Sequence, residues 1–378
     1  LEFSYSEEQQ GLRQLAAQIL SDRVTDDFRR DFSRSGESHD RPLWTTLAEA
    51  GLLGSAIAPE HGGSGLGLSE LCLMLEEQGR TLAPVPLLAT LVLGALPVQK
   101  FGSAAQRAAL LPRVVSGEIL LTAALEETGG GDPLRPSVKA TANAEGWRLK
   151  GVKACVPYGA QAHAILVTAR TGRQGVGVFL VDPQAKGVRV EAQATTSGEP
   201  QAQVKLTDVQ LSSADVLGDP ANGADIVRWM VERGQVALAA RQLGLMAEAL
   251  RRTAAYTAQR VQFGRPTGSF QAVQHRLADG YIDVEALRST CLRAIWALEN
   301  DIPATAEVAA TKWWAAVGGH RVTHAAQHLH GGLGADIDYP IHAFFLQARQ
   351  IGLALGGASS MLAKIGEQLA SGAVRPLT

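Results

Sequence analysis

A guanidinium at a helix end can fork onto a phosphate or complement the helix dipole, and Arg260 is a candidate for either use. It belongs to the block Tyr256-Thr-Ala-Gln-Arg-Val-Gln-Phe-Gly-Arg-Pro-Thr-Gly-Ser-Phe-Gln-Ala-Val-Gln-His-Arg-Leu-Ala-Asp279. The helical pattern there ends at Gly264, Pro266 blocks its continuation, and a new helix is expected after a Gly-Ser cap. Arg260 would then lie in the last turn of the first helix. It could complement the helix dipole or bind a phosphate by planar two-point contact. Spacing alone leaves both uses open.

His320, His324 and His328 recur every fourth residue and share one helix face, a geometry that can hold a transition metal. No HExxH base accompanies them, and Gly318, Arg321 and Ala325 to Gln327 offer no carboxylate to orient the rings. Packing and helix-surface roles are expected instead, with no metal. Trp313 and Trp314 on the same helix read as core or interface anchors. Gly62-Gly-Ser-Gly-Leu-Gly67 has neither the spacing nor the preceding strand of a dinucleotide fingerprint. Gly129, Gly130 and Gly131 run into Asp-Pro and a hairpin-like segment, so a turn is expected there. No GxSxG, P-loop or kinase signature occurs, which removes the usual support for hydrolase or phosphotransfer chemistry. Cys72, Cys155 and Cys291 are far apart and odd in number, and form no CxxC. Buried apolar roles in a reducing compartment are expected for them.

The elements that must position these residues fall into three stretches. Ser4 and Glu7 have capping-box spacing, and Leu12, Leu15, Ala16, Ile19 and Leu20 follow at helical intervals. Further helices are expected at Pro42–Ala50, Leu68–Gln78 and Ala104–Val115. Residues 1–119 therefore read as an α-helical domain. From 120 to 222 short alternating runs appear, among them Trp147-Arg-Leu, Ala164-Ile-Leu-Val-Thr, Val176-Gly-Val-Phe-Leu-Val and Val188-Arg-Val. Without crossover helices between them, an antiparallel β-barrel is expected.

From 223 to 378 the pattern is a four-helix bundle. One stripe, Val273, Leu277, Tyr281, Val284, Leu287, Cys291, Ile295 and Leu298, predicts a helix over Phe270–Glu299. Its neighbours are a helix ending near Gln262, one over Ala304–His328 and one from Pro340 to about Leu369. Ser371–Thr378 reads as a tail. The fold class expected is thus α+β and multi-domain.

The 378 residues are 46% hydrophobic and 19% charged with net charge -2, which describes a soluble chain with a sizeable core and no basic field for nucleic acid. The apolar run Leu87–Val98 falls short of the ~20 residues needed to span a bilayer. Nothing at the N-terminus reads as a signal peptide, and the three unpatterned cysteines lead to the expectation of a cytoplasmic location.

Taken together, the block after Tyr256 resembles the R-x-x-F-G-(R/K)-x-(I/L)-x-x-(F/H)-Q signature of the acyl-CoA dehydrogenase family. Pro59-Glu-His-Gly-Gly-Ser-Gly-Leu-Gly resembles that family's PExxGGxG turn, and His328-Leu-His-Gly-Gly-Leu-Gly its QxxGGxG loop. Tyr339-Pro-Ile-His-Ala-Phe-Phe-Leu-Gln-Ala-Arg resembles its segment before the catalytic glutamate. The resemblance implies a helical layer, a β-barrel and a four-helix bundle, with FAD shared between subunits. Residues that would hold the adenosine and pyrophosphate of a neighbour's FAD map onto Arg260, Gln262, Phe263, Phe270, Gln271, His328, Leu329, Gly331 and Gly332. His328 replaces a glutamine there but keeps an N–H donor.

Other family features are missing. Leu353-Ala-Leu-Gly-Gly-Ala-Ser-Ser360 stands where the family carries Ile-Tyr-Glu-Gly-Thr, so Gly356 replaces the glutamate that removes the substrate's α-proton. No catalytic residue is expected in this chain. Some relatives carry the base on the first bundle helix, but ungapped alignment puts Gly234 at that position, and Glu232 is expected to be a surface residue. The TEPxxGSD turn appears as Leu125-Glu-Glu-Thr-Gly-Gly-Gly-Asp132, and the WIT strand as Cys155-Val-Pro157, where Pro157 removes a backbone donor.

This combination resembles the base-lacking subunit of α2β2 acyl-CoA dehydrogenases of steroid-degrading bacteria. The resemblance implies oxidation of an acyl-CoA to its 2,3-enoyl form, a homologous partner supplying the glutamate, and an electron-transfer flavoprotein or similar acceptor. Two readings remain beside it: a flavin oxidase or monooxygenase of the same fold, and a cofactor-free structural paralogue.

Overall fold

A computed structural model describes residues 4–173 and 175–373; most of the expected tail, Ser371–Thr378, lies outside them. In chain order the helices begin with α1 (Glu7–Arg23), α2 (Asp26–Ser35), α3 (Arg41–Glu49) and α4 (Leu68–Thr81). A buried π-helical stretch, Leu88–Ala95, leads into α5 (Leu96–Phe101), and α6 spans Ala104–Val115. Among the described residues the strands that follow are β1 (Leu121–Ala124), β2 (Lys139–Asn143), β3 (Gly146–Pro157), β4 (Ala164–Thr171), β5 (Gly175–Val181), β6 (Val188–Gln193) and β7 (Gln201–Leu211). Then come α7 (Gly223–Gln259), the hairpin β8 (Val261–Gln262) and β9 (Arg265–Pro266), α8 (Gln271–Glu299), α9 (Thr305–His330), α10 (Pro340–Leu353) and α11 (Ala358–Ala370). In chain order helical parts thus precede and follow a curled sheet, as the resemblance implied. No helix among the described residues is long and apolar enough to cross a membrane.

These elements form two compact units. One comprises Leu1–Ser35, Leu68–Ala83 and Gln235–Thr378; the other comprises Gly36–Gly67 and Pro84–Gly234. In the first unit α4 and α7 cross closely enough that glycine is required on both. A Cβ on Gly79 would lie 1.9 Å from the Arg241 carbonyl oxygen, and one on Gly244 would lie 1.8 Å from that of Glu76. Helix α1 is tied to α4 by Gln9 Nε2 donating to Glu70 Oε1 (2.8 Å) and by Arg13 ion-paired to Glu76 and Glu77. Its capping box is Ser6 with Gln9, not Ser4 with Glu7: Gln9 N–H donates to Ser6 Oγ, and Ser6 N–H to Gln9 Oε1. Of its expected stripe, Ala16 and Leu20 are buried, whereas Leu15 is exposed.

In the second unit the sheet runs β1-β4-β2-β3-β7-β6, with β5 on the other edge of β4. It is antiparallel except that β1 and β2 both lie parallel to β4, meeting its first and second halves. Residues 125–138 make an excursion between β1 and β2, long enough for the chain to return to the same edge without a helix. Leu149, Ile165, Val167, Phe179, Val204 and Val209 pack the inner face, where Trp147 meets Phe179 edge-on at 5.5 Å. Fully burying each such side chain contributes about 1.5–3 kcal/mol.

Candidate functional site

The phosphate-binding candidate Arg260 lies one residue beyond α7, not in its last turn, because the helix ends at Gln259 rather than near Gln262. Its N–H still donates to Tyr256 O (2.8 Å), and its carbonyl accepts from Thr267 N–H (2.7 Å). The chain turns through Phe263 and Gly264, both at positive φ, into the β8–β9 hairpin. The guanidinium of Arg260 is left at the surface with no ion-pair partner among the described residues. Gln262 is exposed, its side-chain amide donating to Val261 O. Phe263 is 93% exposed and held at φ 53, a conformation that costs a non-glycine residue energy.

Phe270 caps α8 in place of the expected Gly-Ser cap: Ser269 Oγ donates to Pro266 O and no side chain caps the helix. The Phe270 ring meets Phe263 edge-on at 6.2 Å and carries the Arg265 guanidinium 4.1 Å from its centre. Gln271, the first residue of α8, is exposed. Further along, Val284, Leu287, Cys291, Ile295 and Leu298 are buried, but Tyr281 of the same stripe is exposed and Val273 and Leu277 only half-buried.

The second arm of the site is the end of α9. His328, Gly331 and Gly332 are exposed, Leu329 is half-buried, and a Cβ at either glycine would meet nothing within 4 Å. Backbone can therefore be approached closely at both. His330 is buried and stacks on Tyr256 with ring centres 4.3 Å apart and planes 22° from parallel. That stack brings the Arg260 arm and the His328–Gly332 arm together, from positions some seventy residues apart in sequence. An exposed guanidinium can fork onto a phosphate, and the two bare glycines leave room for a bulky group beside the backbone.

Gly356 lies in a break that divides the expected Pro340–Leu369 helix into α10 and α11. Leu355 has φ 53 and Gly356 φ +103. A Cβ at Gly356 would be strained at that φ and would lie 2.7 Å from Met361 Cε. The buried Lys312 ammonium donates to the carbonyls of Ile351, Gly352 and Gly356 at 3.0 Å each, and Gln235 Nε2 donates to Leu355 O (2.8 Å). The turn presents backbone at the position where the resemblance puts the family's glutamate. Glu232 is half-buried on α7 rather than openly at the surface.

On the sheet, Glu127 occupies the proline position of the TEPxxGSD turn and points inward. Its carboxylate takes hydrogen bonds from Lys153 Nζ (2.8 Å), Ser137 N–H (2.8 Å), Val138 N–H (3.1 Å) and the Ser137 hydroxyl. Lys153, with no exposed surface, also donates to Thr168 Oγ1 (2.9 Å). Burial works against both charges. For Glu127 the bonds from Lys153 and Ser137 outweigh it and bring the carboxyl down to about 2, whereas the Lys153 ammonium is pulled below its ordinary value by burial despite Glu127. Cys155 is exposed, contrary to expectation, because the β3 bulge holds it at φ 53 with its N–H on Gln193 Oε1. Cys72 and Cys291 are buried as expected.

His320 and His324 lie 5.7 Å apart, and no group of three metal ligands occurs among the described residues. Trp313 and Trp314 are half-buried and meet edge-on at 5.0 Å. A turn closes at Glu127–Gly130, where Gly130 N–H donates to Glu127 O.

Family models described as acyl-CoA dehydrogenase N-terminal, middle and C-terminal domains match residues 6–118, 122–213 and 221–370, and the chain belongs to the acyl-CoA dehydrogenase family. Members of that family are FAD-dependent flavoproteins acting on CH–CH bonds. The chain is similar to acyl-CoA dehydrogenase FadE27 of Mycobacterium tuberculosis, 39% identical across 98% of this chain and 99% of that one. It is 35% identical to FadE28 of the same organism over 92% of this chain and 96% of that one. Among solved structures it superposes on the ChsE4-ChsE5 complex from Mycobacterium tuberculosis with TM-score 0.93 and 39% identity, covering 100% of both chains. A Tcur3481-Tcur3483 steroid ACAD variant gives TM-score 0.91 and 46% identity over 97% of this chain and 99% of that one.

Proposed function

We propose that this chain is the subunit without a base in a heteromeric acyl-CoA dehydrogenase that oxidises the CoA thioester of a steroid side chain to its 2,3-enoyl form. The observation that carries this reading is Gly356. Abstraction of an α-proton needs a positioned acceptor, and this position has no side chain. Similarity to the ChsE4-ChsE5 complex and to a steroid ACAD supports both the heteromer and the substrate class. Bound FAD would supply the acceptor for the β-hydride, and an electron-transfer flavoprotein or similar carrier would be the assembly's electron acceptor.

In this reading the chain binds rather than transforms. Arg260 would fork onto the pyrophosphate, while Gln262, Phe263, Phe270, Gln271, His328, Leu329, Gly331 and Gly332 enclose the adenosine end. Phe263, exposed at an unfavourable φ, supports a surface completed only in an assembly. The inward-turned Glu127 and the missing donor at Pro157 argue against a flavin ring seated in this chain's own sheet. The division of labour would follow segments 1–119, 120–222 and 223–378.

Expressing the chain alone and with base-bearing homologues, then measuring bound FAD, tests the proposal. The lone chain is expected to purify without stoichiometric flavin and the assembly to retain it. Full flavin occupancy in the lone chain would defeat the heteromer, oxygen consumption with a non-CoA substrate would favour an oxidase, and no flavin in any combination would favour a structural paralogue. Within the assembly, Arg260→Ala should weaken FAD retention by about 1.5–3 kcal/mol, the range for hydrogen bonds to charged groups. Unchanged flavin content after dialysis would count against Arg260.

A further inference from the structure

We infer that His330 is a positioning residue that holds the two arms of the nucleotide site in register; the inference rests on the proposed role of those arms in binding flavin nucleotide. Tyr256 lies one helical turn before Arg260 and its carbonyl accepts the Arg260 N–H. His330 lies two residues after His328 and directly before Gly331. Its imidazole, 3% exposed, stacks on Tyr256 at 4.3 Å, while Tyr339, the residue capping α10, closes against it at 5.4 Å.

Two further contacts fix the ring and the turn that carries it. His330 Nδ1 lies 2.8 Å from Ala326 O, a bond that sets the ring's rotation. Gln327 Nε2 donates to Gly334 O (2.9 Å), closing the turn around the two exposed glycines. A Cβ on Gly334 would lie 2.1 Å from Gln327 O, so this closure has no slack. The Tyr256–His330 stack is a direct contact between the segment carrying Arg260 and the segment carrying His328, Gly331 and Gly332. A ligand touching both segments gains from their being held before it arrives, because less freedom is lost on binding.

His330 itself is buried and needs no contact with the ligand. Its effect must pass through ring packing, and this separates it from Arg260: a phenyl ring at 330 keeps the stack and loses only the Nδ1 bond, whereas a methyl group removes the stack.

The test is FAD titration of the assembly of this chain with its base-bearing partner, followed by flavin fluorescence. His330→Ala is expected to raise the FAD Kd about tenfold, the size of effect an aromatic stack can have on an equilibrium. His330→Phe should stay within about twofold of wild type. Tyr256→Leu, which removes the same stack from the other side, should match His330→Ala and serves should that variant fail to fold. A wild-type Kd in His330→Ala or in Tyr256→Leu would overturn the inference while leaving the nucleotide arm intact, and so would an equal loss in His330→Phe. A wild-type assembly that binds no FAD would overturn the arm and the inference together.

Discussion

Mixed anaerobically with an acyl-CoA substrate, the assembly is expected to bleach its flavin fully, and an assembly whose partner has its base glutamate replaced by glutamine to bleach far more slowly. General base catalysis contributes typically about 10²–10⁴-fold, so removing the partner's base should slow bleaching by roughly that factor. Glu232→Gln in this chain should change the rate by less than about twofold. The contrast follows from position 356: a break between α10 and α11 in which Lys312 and Gln235 hold backbone carbonyls and φ is +103 cannot present a carboxylate. A Glu232→Gln assembly that loses bleaching by a hundredfold would move the base into this chain and overturn the proposed division of roles.

Glu127→Ala should produce the largest loss of stability, about 3–5 kcal/mol. It would strand the Lys153 ammonium in the sheet interior with Thr168 Oγ1 as its one remaining partner among the described residues. Urea unfolding measures this directly, and the double variant Glu127→Ala with Lys153→Met should recover most of the loss, since no buried charge then remains unpaired. A single-variant cost under about 1 kcal/mol would mean that water reaches the pair.

The same pair predicts a pH dependence. Glu127 titrates near 2 when folded, below its ordinary value of 4.5. Its contribution is therefore fully present above that ordinary value and is lost as pH falls toward 2, because the unfolded chain binds the proton first. Wild type should lose urea resistance across that window, and the slope attributable to Glu127 should vanish in the double variant. An acid limb of equal slope in both would assign the effect to other carboxylates.

Much of this architecture was legible along the chain. The α6 boundaries, Ala104–Val115, coincide with the expected ones, and the four runs of alternating residues quoted for the sheet all lie in strands. Helix α8 starts within one residue of the expected Phe270. Caps, turn residues and hydrophobic period are local properties, set by atoms a few residues apart. Local signals also misled. Ser4 and Glu7 share the spacing of Ser6 and Gln9, and only the second pair closes the box. Gly356 and Gly357 sit in an otherwise helical pattern, and a single helix was expected where the chain breaks.

The residues that sequence reasoning missed are paired across the fold. Glu127 and Lys153 could have been suspected from a charge in the place of a proline, but nothing near either names the other. Tyr256, His330 and Tyr339 give no local sign that they stack. By itself the sequence determined the three-part order of elements, the family and the absence of a side chain at 356. Tertiary structure alone decided that β1 and β2 share one edge of β4, that Glu127 turns inward onto Lys153, and that the two nucleotide arms meet at an imidazole. The physical reason is range: helical and strand periods arise from neighbours along the chain, whereas a buried charge or ring takes its partner from whichever segment the packed backbone brings within a few ångströms.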